Sequence, residues 1–166
     1  LATGCSATLL EDPDAGFSGR IRPVEALLRP RLDRLNLGPL DGRALIHQPC
    51  TQRHTNGGFA DTLALLRAIP GLQVEAMPEN DRCCGAAGDH LVRHYDQAAA
   101  LVAPKVRALQ ACGADFAVTS NIGCALHLGR ATGHSPRVLH PVSLLARSLR
   151  AGVARPAARG HKNEQP

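Results

Sequence analysis

"LQVEAMPENDRCCGAAGDH", residues 72–90, decides the fold. Leu72 to Met77 is a short apolar run of strand-forming character, and beyond His90 apolar residues recur at helical spacing. Between them "NDRCCGAAGDH" (Asn80 to His90) sets two cysteines side by side and keeps its side chains small as far as Gly88. A strand, a small-residue turn and a helix make one strand-helix unit. Gly85, Ala86, Ala87 and Gly88 lead into the helix, so their backbone N–H groups can point at a thiolate or another anion, and bulky side chains would block that approach.

The same alternation extends in both directions. Upstream, "ALIHQ" (Ala44 to Gln48) reads as a strand, followed by a loop through Gly57 and Gly58 and the helical run "FADTLALLRAI", which Pro70 and Gly71 end. Downstream, a long helix over about 90–110 carries Ala98, Leu101, Val102, Val106 and Leu109 at helical spacing, with Pro104 expected to kink it. "DFAVTS" (Asp115 to Ser120) reads as a third strand, "CALHLGRA" as a short helix, "RVLH" (Arg137 to His140) as a fourth strand and "VSLLARSLR" as a closing helix. Strands alternating with helices predict an α/β fold, a Rossmann-like parallel sheet with flanking helices.

This layout distributes the cysteines Cys5, Cys50, Cys83, Cys84, Cys112 and Cys124. Cys50 follows the first strand, Cys83 and Cys84 the second and Cys124 the third. Loops beyond the carboxyl ends of parallel strands gather along one edge, where ligands bind, so four thiols far apart in sequence are expected on one rim. Cys112, at a helix end before Gly113, falls on the opposite side of the sheet and reads as a small buried hydrophobe.

Four converging thiols can hold an iron-sulfur cluster, hold zinc or exchange disulfides. Zinc ribbons use local CxxC knuckles, which this chain lacks. An adjacent pair suits a polynuclear cluster, since neighbouring residues can reach different metal atoms. His47, three residues before Cys50, reads first as a residue supporting the site, with direct ligation the sharper alternative. His127, one turn after Cys124, either touches the site or lies on the helix surface. Asn121 reads first as a helix cap, with a hydrogen bond to a ligand at the site as the sharper alternative. Lys105 and Arg107 read as charges on a solvated helix face.

Bulk composition narrows the function classes. With 166 residues at 44% hydrophobic, the chain has material for one ordinary domain with a buried core. The net charge of +5 owes much to scattered arginines and the tail "RPAARGHKNEQP", and Tyr95 is the only tyrosine. No basic stripe interleaved with aromatics supports nucleic-acid binding. No run approaches the roughly 18 apolar residues of a membrane span, no charged-then-apolar leader opens the chain, and Gly57-Gly58 does not extend to a GxGxxG dinucleotide site. Cysteines too sparse for a secreted disulfide scaffold imply reduced thiols and a cytoplasmic location. The start at Leu1 rather than methionine reads as a fragment.

An internal repeat adds to that reading. "TGCSATLL…RIRPVEALLR" parallels "IGCALHLG…RVLHPVSLLAR": Cys5 matches Cys124, and Pro23, Val24, Leu27 and Arg29 match Pro141, Val142, Leu145 and Arg147. The expected organisation is the tail of a first copy over 1–34, a linker over 35–42, a complete second copy over 43–150 and a disordered basic tail over 151–166.

"HQPCTQRH" at Cys50, "CCGAAG" at Cys83 and Cys84, and "TSNIGCALHL" at Cys124 resemble the cysteine-rich CCG domain. That domain occurs in heterodisulfide reductases, in lactate-utilisation proteins and in glycolate oxidase iron-sulfur subunits. The NIGC-x-x-HL form, with Asn121, Gly123, Cys124, His127 and Leu128, looks most like the last of these. The resemblance implies an iron-sulfur electron-transfer subunit, with a cluster of the 4Fe-4S kind and zinc as the alternative. It also implies flavin-containing partner subunits that oxidise glycolate or a similar 2-hydroxy acid, and a quinone-type acceptor reached through partners at the inner face of the membrane. Two such copies usually follow a ferredoxin-like domain. In the heterodisulfide reductase version a final CxxC supplies an additional thiolate for a noncubane cluster; here Asn121 replaces its first cysteine. That departure favours four-thiolate ligation through Cys50, Cys83, Cys84 and Cys124. Cys5 matches the last cysteine of the first copy, with Ala2 at the place of Asn121, so the resemblance makes it either a metal ligand of that truncated copy or idle.

Overall fold

The computed structural model describes residues 22–56 and 58–154. Its centre is a four-stranded, wholly parallel sheet in the order β2-β1-β3-β4, with β1 at Gly42–Ile46, β2 at Leu72–Ala76, β3 at Phe116–Val118 and β4 at Arg137–Leu139. Helices α1 (Val24–Leu28), α2 (Phe59–Arg67), α3 (His90–Arg93), α4 (Tyr95–Ala111), α5 (Ile122–Ala131) and α6 (Pro141–Ala154) surround it. The expected α/β architecture is therefore present.

The apolar pattern of the strands sorts the helices onto the two faces. Ala44 and Ile46 of β1, with Val74 of β2 and Val118 of β3, pack against Leu65 and Leu66 of α2 and Leu144 and Leu145 of α6. Leu45 and Ala117, one residue out of phase, pack on the other face against Val102 and Leu109 of α4 and Leu128 of α5. Central β1 is covered on both sides, which is why "ALI" carries no polar residue and all three side chains are fully buried.

Three details depart from expectation. The interruption in the stretch over 90–111 falls at His94 (φ −127°, ψ 54°), between α3 and α4, while α4 runs on through Pro104. Lys105 is wholly enclosed: it occupies the stripe of Ala98, Val102 and Leu109, which turns that face of α4 inward. Residues 151–154 belong to α6 rather than to a disordered tail. The reason is a close crossing in which Gly38 N–H donates to Ser148 O (2.9 Å), Ser148 Oγ–H to Gly38 O (2.7 Å) and Asn36 Nδ2–H to Gly152 O (3.2 Å). A Cβ on Gly38 or on Gly152 would run into the backbone of the other segment.

That crossing seats part of the stretch read as a linker on α6, and Gly42 already belongs to β1. Upstream of it, Leu28 and Leu32 pack on the α2/α6 face of the core. The matched dipeptides Pro23-Val24 and Pro141-Val142 both open helices. Cys5 and the rest of its stretch, through residue 21, lie outside the described residues, as do residues 155–166.

The strands end level with one another: Ile46 pairs with Ala76 and with Val118, and Val118 with Leu139. The chain leaves β1 for β2 on one side and returns past β1 to β3 on the other. The crevice of such a sheet opens where this reversal occurs, beyond the carboxyl ends of β1 and β3.

Candidate metal centre

Hydrogen bonds lash the loops at this rim together. Met77 N–H donates to Ile46 O (2.9 Å) and His47 N–H to Val118 O (2.8 Å), extending the pairing one residue past the strands. Asn80 then spans two loops: its Nδ2–H donates to Ile46 O (2.9 Å), its Oδ1 accepts from Gln48 N–H (2.9 Å), and its backbone O accepts from Arg53 Nη1–H (3.1 Å). The segment bearing Cys50 is thereby fixed to the segment that leads into Cys83 and Cys84.

The paired cysteines diverge. Cys84 is 2% exposed and its Sγ lies 3.1 Å from that of Cys124, which is 5% exposed. Cys83 is half-buried and accepts a hydrogen bond from Gly85 N–H (3.3 Å), with the half-buried Cys50 close enough to influence its ionisation. The four rim thiols thus form an inner pair and an outer pair in electrostatic reach of one another. Cys112 stands apart at the C-cap of α4, half-buried, its carbonyl accepting from Arg43 Nη1–H (2.9 Å).

The thiols ionise unequally. The hydrogen bond from Cys124 is the largest influence on Cys84 and lowers its pKa to about 6 against the opposing effect of burial; the Ala86 N–H and the charges of His127 and Lys105 help. Cys124 is pushed up by that same bond, then by burial. Burial raises Cys83, with the Gly85 N–H opposing. The small-residue turn therefore does point backbone donors at sulfur, as its composition predicts.

Gly85 is irreplaceable in this geometry. Its φ is +83°, and a Cβ there would meet Ala98 O at 2.9 Å, Ala98 Cα at 3.0 Å and Leu101 Cβ at 3.1 Å. Asn121 caps α5, its Oδ1 accepting from Cys124 N–H at 3.2 Å, and so orients the helix that carries this thiol.

Three buried groups line the centre. His47 is 2% exposed, with Nδ1 3.1 Å from Thr119 Oγ1 and Nε2 without a partner. Burial first, then the charges of Lys105 and Arg53, depress its pKa to about 3, so the ring is neutral. His127 is buried rather than on the helix surface; its Nε2–H donates to Ala98 O (3.1 Å) and its Nδ1 is unpartnered. Lys105 Nζ–H donates to Glu79 O at 2.6 Å. No carboxylate pairs with that ammonium among the described residues. Burial lowers the pKa of Lys105, and the charges of Cys84, Asp81, Cys124 and Cys83 oppose the shift. A buried cation without a carboxylate is costly unless an anion offsets it, and here the readily ionised Cys84 is the largest such influence.

The charge of Lys105 does not mark it as a site residue, but its phase does: positions 98, 102, 105 and 109 share one helical face. His127 follows the same logic with Cys124 and Leu128.

Comparison with known proteins identifies the family. The CCG family, described as "Cysteine-rich domain", matches residues 44–129, which span all four rim thiols. The chain belongs to the CCG cysteine-rich domain family. It is 31% identical to the glycolate oxidase iron-sulfur subunit of Escherichia coli (strain K12), over 89% of this chain and 39% of that protein. It is 36% identical to a subunit of the anaerobic glycerol-3-phosphate dehydrogenase of Escherichia coli (strain K12), over 85% of this chain and 36% of the relative. Lactate utilization protein A of Lysinibacillus sphaericus (strain C3-41) is 29% identical over 64% of this chain and 48% of its own length. The chain thus spans less than half the length of these relatives. Among the described residues, no helix is long and apolar enough to cross a membrane.

Proposed function

We propose that this CCG domain carries an iron-sulfur cluster of the 4Fe-4S kind and serves as the electron-transfer part of an oxidoreductase complex. The observation that carries the reading is the closeness of Cys84 and Cys124 (Sγ–Sγ 3.1 Å) at the switch point of the sheet, with Cys50 and Cys83 in electrostatic reach and the enclosed ammonium of Lys105 beside them. Soft thiol donors suit iron-sulfur clusters and zinc. The enclosed ammonium of Lys105, which has no carboxylate partner, fits a site of negative charge, and the unpartnered His47 Nε2 fits a site that holds metal.

In this reading Cys50, Cys83, Cys84 and Cys124 hold the cluster. When bound, the cluster supplies one-electron transfer, with a potential set by charge, hydrogen bonding to sulfur and exposure. The Gly85 and Ala86 N–H groups and the Lys105 ammonium stabilise negative charge on the sulfurs. Burial of Cys84 and Cys124 keeps water from the inner pair, while half-exposed Cys50 and Cys83 form the edge nearest a partner.

The names of two relatives, a glycolate oxidase iron-sulfur subunit and a lactate utilization protein, support a complex that acts on glycolate or a similar 2-hydroxy acid. In this reading flavin-containing partner subunits at the cytoplasmic face oxidise the acid, and electrons pass toward a quinone-type acceptor. Zinc held by the same thiols is the competing occupant. Anaerobic purification with iron, zinc and acid-labile sulfide analysis tests the proposal. Brown protein with iron and sulfide in similar amounts is expected; colourless protein with zinc and no sulfide would overturn it.

A further inference from the structure

We infer that His47 is a direct metal ligand, its Nε2 joining the sulfurs of Cys84 and Cys124 as a nitrogen donor to the cluster. The inference rests on the proposed iron-sulfur reading and adds a donor to it.

Two independent observations carry it. First, a ring nitrogen of His47 and the sulfurs of Cys84 and Cys124 all lie within 4.8 Å of one another, and all three residues are buried. Metal–nitrogen bonds of about 2.0–2.1 Å and metal–sulfur bonds of about 2.3 Å close across such a gap with small side-chain movements. Second, Nε2 is shielded from water and has no hydrogen-bond partner, an arrangement that buried polar atoms seldom keep unless something binds them.

The surroundings favour a lone pair at that atom. His47 sits one residue past β1 with its backbone N–H bonded to Val118 O (2.8 Å), so the ring is held at the switch point itself. Nδ1 lies 3.1 Å from Thr119 Oγ1; in the tautomer that donates Nδ1–H to this hydroxyl, Nε2 is the unprotonated nitrogen, and a hydrogen bond to the opposite nitrogen is the usual way that a ligating histidine is oriented.

Neither neighbouring candidate matches this. Asn121 Oδ1 is occupied by the Cys124 N–H. His127 also has a free Nδ1, but no atom of it falls within the compact group of donors. His47 therefore adds one donor to the four thiols where Asn121 offers none. The competing role for the ring is the other tautomer, with Nε2–H donating to a sulfur.

Pulsed electron paramagnetic resonance on the full chain separates the two roles. The protein is reconstituted anaerobically with ferrous iron and sulfide, with 14N- or 15N-labelled histidine, and measured in its paramagnetic state. A directly bonded imidazole is expected to give a strong, isotope-sensitive nitrogen coupling that persists in His127→Gln and vanishes in His47→Cys. His47→Cys should retain iron because a thiolate replaces the nitrogen, whereas His47→Ala should lose iron to a chelator at least about tenfold faster. Iron and sulfide bound without strong histidine coupling would overturn this inference and leave the proposed function intact. Failure of the wild-type chain to take up iron would overturn both. Because the labelled wild type decides the matter, poor folding of a variant does not rescue the idea.

Discussion

Gly85→Ala tests the reasoning about the cysteine turn most sharply. The substitution asks an L-residue to adopt φ +83°, at roughly 1–2 kcal/mol for a left-handed conformation. It also drives a methyl group to 2.9 Å from Ala98 O, 3.0 Å from Ala98 Cα and 3.1 Å from Leu101 Cβ. Ala98 O and Ala98 Cα belong to the backbone of α4 and cannot swing aside, so overpacking adds roughly 1–3 kcal/mol. The two contributions sum to a predicted loss of about 2–5 kcal/mol. Gly88→Ala supplies the internal control: its φ is +60°, but nothing lies within 4 Å of the added Cβ, so only the conformational part, roughly 1–2 kcal/mol, applies. Urea melts of the metal-free proteins measure both. If the two variants are equally destabilised, the crowding argument is wrong and Gly85 matters only for its backbone angle.

Two further predictions concern charge. Lys105→Met should change the stability of the metal-free protein by no more than about 1 kcal/mol or raise it, since a buried ammonium with one carbonyl partner is replaced by an apolar chain of similar length. In the metal-loaded protein the same change should lower the midpoint potential by about 60 mV or more, a tenfold shift in a one-electron equilibrium, because a positive charge favours the reduced form. Potentiometric titration checks this, and an unchanged or higher potential would refute it. His140 accepts from Val142 N–H (3.2 Å) at the start of α6, and burial holds its pKa below 6.5, with the charge of Glu25 opposing. A depressed folded-state pKa means that its contribution is complete above about pH 6.5 and drains away as the pH falls. His140→Asn, which keeps an acceptor but does not titrate, should flatten the fall in stability between about pH 6.5 and pH 5 relative to wild type; parallel pH profiles of the two proteins would contradict the assignment.

Much of this architecture is written in the local pattern. Apolar runs such as "ALI" and "LQV" mark strands because burial on one or both faces admits little else, and "CCG" after a strand marks a rim loop because topology gathers such loops. Asn121 is legible as a cap from its place before a helical run. Lys105 and His127 escape a reading that weighs residue type above helical phase: a polar side chain on an apolar stripe faces inward whatever its charge. Other features have no local signal at all. The close passage of Gly38 over Gly152 joins residues far apart in the chain, and no short pattern announces it. Which of two adjacent cysteines turns inward depends on backbone angles that the letters alone do not carry.

Asn80 has a consequence for how the centre is assembled. Loops ordinarily keep their freedom until a ligand arrives, and each residue then frozen costs roughly 1–2 kcal/mol. By joining Ile46 O and Gln48 N to its own loop, Asn80 fixes the approach to Cys50 and to Cys83 and Cys84 ahead of any metal. An arriving ion therefore meets a gap of set width rather than a chain that wraps around it. Filling such a gap needs small side-chain movements rather than the ordering of whole loops, so this asparagine, which has no affinity for metal, lowers the entropic cost of occupying the site.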